Sequence, residues 1–203
     1  MNQNKTLIAA ILDKSGSMQP FAADTIGGFN QFLEDQRKLP GEADITVALF
    51  SSFNEFIILY NSENIQTCEG LNNKNYIPSG MTALFDAIGK TIDKIGAKLA
   101  NTPEEDRPAK ILILISTDGY NNDSKEYTLE QIKEKINHQR EKYNWEFVFT
   151  AANIDAFEIG TNMGVSNNVN FTQANTRDVY TKSFSIATTS YRTKGSVDLG
   201  SSS

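Results

Sequence analysis

Six consecutive apolar residues, Leu7 to Leu12, run without a break and stop at Asp13. A short, uniformly apolar run suits a strand covered on both faces, because a strand with one wet face alternates in polarity. The pattern recurs at Ile111 to Ile115, which is followed by Ser116-Thr117-Asp118-Gly119. Strands buried on both faces need helices above and below them, so the segments between the runs must supply helices.

They do. Ile26, Phe29 and Leu33 recur at helical spacing and Pro40-Gly41 closes that element. From about Thr82, Leu84, Ile88, Ile92, Ile95 and Leu99 fall on one face of a second helix. Thr128 and Gln131 form a capping box ahead of Leu129, Ile132 and Ile136. A short helix is expected from about Asp155 to Met163, and a last one carries Val179 or Tyr180, Phe184, Ala187 and Tyr191. Further strands are expected at Asp44 to Ser51, Phe56 to Tyr60, Phe147 to Phe149 and Val169 to Phe171. The four-residue link Ser52 to Glu55 makes the second and third strands an antiparallel hairpin. Residues 61 to 80 read as irregular. The expected fold is α/β, a doubly wound, mostly parallel Rossmann-like sheet with one antiparallel edge hairpin. One domain from residue 5 to 194 is expected, with 195 to 203 a disordered tail too poor in apolar residues to pack.

In open α/β sheets ligands sit beyond the carboxyl ends of the strands. Asp13 and Asp118 both lie there. A single strand-end aspartate is more often a turn or helix cap than a ligand. Asp13, however, is followed at alternate positions by Ser15 and Ser17, with Gly16 between them for a tight bend. A carboxylate and two hydroxyls then face one centre. All are hard oxygen donors, which Mg²⁺ and Mn²⁺ prefer, whereas zinc favours histidine or cysteine.

With these residues the chain resembles the von Willebrand factor A domain, whose metal-ion-dependent adhesion site combines Asp-x-Ser-x-Ser with a distant threonine and a distant aspartate. Asp13-Lys14-Ser15-Gly16-Ser17 matches the first element, Gly80-Met81-Thr82 the second and Ser116-Thr117-Asp118-Gly119 the third. The resemblance spans about residues 5 to 190 and is greatest to compact, stand-alone domains of bacterial and phage type. It implies that Ser15, Ser17 and Thr82 coordinate Mg²⁺ through their hydroxyls. Asp13 and Asp118 hold the ion directly or through water. It also implies a protein partner whose Asp or Glu completes the coordination, with no catalysis. Mn²⁺ and Ca²⁺ remain alternatives.

Other functions fit less well. A haloacid-dehalogenase-like phosphotransferase also places an aspartate after its first strand, but needs a second carboxylate two residues on, where this chain has Ser15. A scaffold stapled by a structural metal is the third reading. The single histidine, His138, lies on a predicted helix away from any obvious nucleophile, and there is no Gly-x-Ser-x-Gly elbow. No phosphate-binding Gly-x4-Gly-Lys-Ser/Thr loop occurs. Gly27-Gly28 reads as a close helix–sheet contact. A net charge of −6 without a basic cluster argues against nucleic acid. No apolar stretch approaches the roughly 20 residues that span a bilayer. The lone Cys68 reads as a buried side chain and suits a reducing, cytoplasmic setting. Phe53 and Phe56 read as core residues, with a contact surface shared with Tyr120 as the alternative.

Overall fold

A computed structural model describes residues 1–152, 154–170 and 176–199. Its strands are β1 (Asn2–Asp13), β2 (Glu42–Phe50), β3 (Phe56–Asn64), β4 (Pro108–Thr117), β5 (Glu146–Ala151) and β6 (Asn167–Asn170). They form one sheet in the order β3-β2-β1-β4-β5-β6. Every neighbouring pair is parallel except β2 with β3, the antiparallel pair at one edge. The helices are α1 (Ala22–Arg37), α2 (Leu84–Ala100), α3 (Leu129–Tyr143), α4 (Ile154–Asn162), α5 (Thr176–Val179) and α6 (Ser185–Lys194). This is the doubly wound, mostly parallel architecture expected, with the hairpin where it was expected.

The uniform apolar runs divide by alternation between two cores. Leu7, Ala9 and Ile11 of β1 join Ile111, Ile113 and Ile115 of β4 against α2 and α3. Ile8, Ala10 and Leu12 join Leu112 and Leu114 against Phe29, Phe32 and Leu33 of α1 and Phe184, Ala187 and Tyr191 at the chain's last helical stretch. Successive side chains of a strand point to opposite faces, so burial of every residue requires helices on both sides. Fully burying each such side chain contributes about 1.5–3 kcal/mol of transfer free energy. The two central strands that lead to the aspartates are thus covered on both faces.

Several boundaries differ from expectation. β1 begins at Asn2, because pairing of its polar start with β4 and β2 extends the ladder beyond the apolar run. α2 begins at Leu84, and Thr82 belongs to the preceding loop. The capping box of α3 forms, with Thr128 Oγ1 accepting from Gln131 N at 3.3 Å and Gln131 Oε1 accepting from Thr128 N at 2.9 Å. β6 ends at Asn170, and Phe171 lies outside the described residues. The last helix is not continuous, for a π-helical turn at Tyr180–Phe184 separates α5 from α6.

The Asn-rich stretch after β3 is irregular yet packed. Ile65, Cys68, Leu71 and Tyr76 are buried in the α1-side core. Asn30 of α1 clamps it, donating to Leu71 O at 2.9 Å and accepting from Leu71 N at 2.8 Å. Gly27 faces the Arg177 guanidinium of α5 rather than the sheet. In the expected tail, Val197 and Leu199 pack against the α1-side core, and Asp198 N donates to Ser190 Oγ at 2.7 Å. Residues 200–203 lie outside the described residues. No described helix is long and apolar enough to cross a membrane.

Candidate metal centre

β1 and β4 are adjacent and parallel, with Leu12 opposite Ser116. Asp13 and Asp118 therefore emerge side by side at the carboxyl edge. Asp13 is fully buried and Asp118 is 8% exposed. Both carboxyls have raised pKa values. Burial pushes Asp13 to about 6, against hydrogen bonds from Thr117 and Ser15 that lower it, and the charge of Asp118 raises it further. Burial likewise raises Asp118, partly offset by Ser17. Two desolvated carboxylates close together are costly to keep ionised, and a cation between them reverses that cost.

Asp13 accepts on both oxygens, from Ser15 N at 2.7 Å on Oδ1 and from Thr117 Oγ1 at 2.5 Å on Oδ2. The first bond folds the backbone back on itself and aims Ser15 toward the carboxyl edge. Ser15 Oγ lies 3.1 Å from Ser17 Oγ, and Ser17 Oγ donates to Asp118 Oδ1 at 2.7 Å. A Cβ placed on Gly119 would be 3.8 Å from both Ser17 Oγ and Thr82 Oγ1, so these two hydroxyls flank one small volume. Asp13, Ser15, Ser17, Thr82 and Asp118 thus converge from three loops. Ser17 is exposed and the others are buried, which leaves the cluster open to solvent on one side.

The supporting loops are tied by backbone geometry. Gly16 N donates to Gly80 O at 3.0 Å and Ser79 N to Lys14 O at 2.8 Å. Gly80 has φ +78, and a side chain there would stand 2.6 Å from Ser52 Oγ. Glycine is required at that position. Gly16 is not at positive φ; a Cβ there would come within 3.3 Å of Gly80 O, so close approach of two loops explains it better than a tight bend. Asn122 holds the threonine element, its Oδ1 accepting from Thr82 N at 2.8 Å while Asn122 N donates to Thr82 O at 2.9 Å. Tyr76 OH donates to Asp13 O. Lys14, inside the serine motif, is turned away: its ammonium lies 3.3 Å from Glu55 Oε2 and 3.5 Å from Ser51 Oγ.

Thr117, Tyr76 and Asn122 were not singled out from the sequence. Thr117 adjoins Asp118 and could have been noticed; Tyr76 and Asn122 act across 63 and 40 residues, and only the fold brings them in. His138 lies on α3 against the ring of Tyr143, with centroids 5.7 Å apart. Among the described residues no group of three or more His, Cys, Asp or Glu forms a metal cluster. The candidate donors are instead two carboxylates and three hydroxyls, a chemistry that suits a hard dication rather than zinc's usual ligands.

No family model matches this sequence, and no curated protein matches it. Solved structures do match its fold. Manganese-loaded TRAP protein from Plasmodium vivax aligns with TM-score 0.61 and 15% identity over 91% of this chain and 75% of that one. Proximal thread matrix protein 1 from the mussel byssus aligns with TM-score 0.59 and 12% identity over 92% of this chain. A von Willebrand factor type A structure from Catenulispora acidiphila aligns with TM-score 0.54 and 11% identity over 91%. The chain has the fold of a von Willebrand factor A domain. It spans 47% of the mussel chain and 42% of the Catenulispora chain. A further mussel structure carries zinc in its metal-ion-dependent adhesion motif.

Proposed function

We propose that this protein is a metal-dependent protein-binding module, in which Asp13, Ser15, Ser17, Thr82 and Asp118 hold one Mg²⁺ ion. The observation that carries the reading is the convergence of five oxygen-bearing side chains from three loops, with Ser17 linked to Asp118 at 2.7 Å. The manganese and zinc named for two proteins of the same fold support a divalent ion at such a motif. Ser15, Ser17 and Thr82 would coordinate through hydroxyls. Asp13 and Asp118 would hold the ion directly or through water.

Neutral hydroxyls leave much of a dication's charge uncancelled, and Mg²⁺ keeps an octahedral shell at ~2.0–2.1 Å. A carboxylate from a partner's Asp or Glu is the natural complement at the open side. When bound, the ion supplies a positive point that a carboxylate can occupy. Thr117 and Ser15 orient Asp13, the Gly16–Gly80 contact holds the serine and threonine elements together, and Asn122 fixes Thr82. The phosphotransferase reading gains nothing from this geometry. Ser15 stands where that reading needs a second carboxylate, and it cannot act as the acid and base at neutral pH.

The test has two arms. Titration calorimetry should detect Mg²⁺ binding to the wild type and none to folded Asp13→Ala. Proteins captured from lysate in Mg²⁺ should be released by chelator and by excess acetate. Undiminished metal affinity in Asp13→Ala, or capture indifferent to chelator, contradicts the proposal.

A further inference from the structure

Exposed apolar side chains are unevenly distributed over this molecule. Among the described residues eight large hydrophobic side chains are exposed, and four of them, Phe53 (44%), Ile77 (58%), Met81 (51%) and Tyr120 (53%), belong to loops around the candidate metal centre. Isolated surface hydrophobics need no explanation, but a concentration beside a site of charge does.

Hydrogen bonds tie the loops that carry the four to one another and to the candidate site. Met81 N donates to Ser52 Oγ at 3.0 Å, which sets Met81 beside the residue preceding Phe53. Phe53 N donates to Asp123 Oδ2 at 3.0 Å, joining the β2–β3 turn to the loop after β4. Tyr120 precedes Asn121 and Asn122, whose side chains accept from Phe85 N and Thr82 N. Ile77 sits between Tyr76, bonded to Asp13 O, and Ser79, whose N–H reaches Lys14 O. Loops pinned this way are already arranged for binding, and less ordering cost opposes association.

We infer that this apolar rim reads the neighbours of the partner's carboxylate, so that the captured segment is a single Asp or Glu flanked by bulky apolar residues. The inference rests on the metal-dependent reading above. Charge points the same way. Asp13 and Asp118 offset only part of a dication's charge, and the remainder suits a single partner carboxylate. Further acidic residues would gain no pairing from Lys14 and Lys90, which are already bound to Glu55 and Glu126, and would meet a chain of net charge −6. An apolar flank gains contact with the rim without that repulsion.

Three labelled peptides, Gly-Gly-Asp-Gly-Gly, Gly-Phe-Asp-Leu-Gly and Gly-Asp-Asp-Asp-Gly, would be titrated with the full chain by fluorescence anisotropy in Mg²⁺ and in EDTA. The apolar-flanked peptide should bind about tenfold or more tightly than the other two, only with Mg²⁺. Phe53→Ser combined with Ile77→Ser should erase that preference while calorimetric Mg²⁺ affinity and the circular-dichroism spectrum stay unchanged. Equal affinities, a preference for the triple-acid peptide, or a preference that survives in the double variant overturns the inference and leaves the metal reading standing. A Mg²⁺-induced dimer of the chain that excludes all three peptides also overturns it. Absence of Mg²⁺ binding in calorimetry identifies failure of the underlying reading instead.

Discussion

Two buried aspartates lie on the same edge of this fold and are treated in opposite ways. Asp86, in the first turn of α2, accepts three backbone N–H groups, from Lys125 at 2.8 Å, Glu126 at 3.0 Å and Tyr127 at 2.9 Å. Those bonds organise the loop leading into α3. Asp13 receives one backbone N–H and one hydroxyl, and Asp118 stands close enough to raise its pKa. The first carboxylate is satisfied by the protein itself. The second has one donor on each oxygen and keeps acceptor capacity, with the charge of Asp118 acting against its ionised form. Burial alone therefore does not identify a ligand; what identifies one is how the charge is compensated.

The contrast can be broken by mutation. Asp13→Ala is expected to remove Mg²⁺ binding altogether while leaving a folded protein, as read by calorimetry together with circular dichroism. Asp86→Ala should do the reverse, lowering the free energy of unfolding by about 3 kcal/mol as three backbone donors lose their acceptor. Chemical denaturation measures that loss, and it should persist in saturating Mg²⁺.

A smaller effect concerns pH. The folded pKa of Asp13, about 6, lies above its ordinary value of 3.8, so the folded state binds more protons in between. Stability without metal must then fall as pH rises through that window. Between pH 5 and 7.5 the contribution of Asp13 amounts to about 1.4 kcal/mol. Denaturation in chelator should reveal this slope in the wild type and a shallower one in Asp13→Asn, where the raised Asp118 remains. Smallest in stability is Thr82→Ala, with under about 1 kcal/mol expected for one hydroxyl. Its Mg²⁺ affinity and its Mg²⁺-dependent capture of a carboxylate partner should nevertheless weaken together.

How much of this was legible in the sequence follows from the range of the interactions. The apolar runs Leu7 to Leu12 and Ile111 to Ile115 announce buried parallel strands, because two-sided burial leaves no polar alternation. The Thr128–Gln131 box is local, and its geometry follows from spacing. Asp13, Ser15 and Ser17 could be picked out for the same reason. Asp118 stood out with Asp13 as an aspartate closing an apolar run, whereas Thr82 needed the resemblance; the structure brings both side chains to the same edge.

Contacts distant in sequence were invisible. Nothing near Tyr76 indicates that its hydroxyl reaches Asp13 O, and nothing near Asp86 indicates its three donors. Phe53 and Phe56 have the same composition and different fates. Phe56 begins β3 and packs on the core, whereas Phe53 sits in the turn and is 44% exposed. The packing of the partly buried Val197 and Leu199 was equally hidden, since five residues with two apolar side chains carry no periodicity to read.

The most direct test is a crystal structure of the chain grown with Mn²⁺, read by anomalous scattering. One strong peak is expected, bonded to the hydroxyl oxygens of Ser15, Ser17 and Thr82, with Asp13 and Asp118 around it at direct or water-bridged distance. A map with no peak there, or with protein atoms filling the space between those side chains, would contradict it.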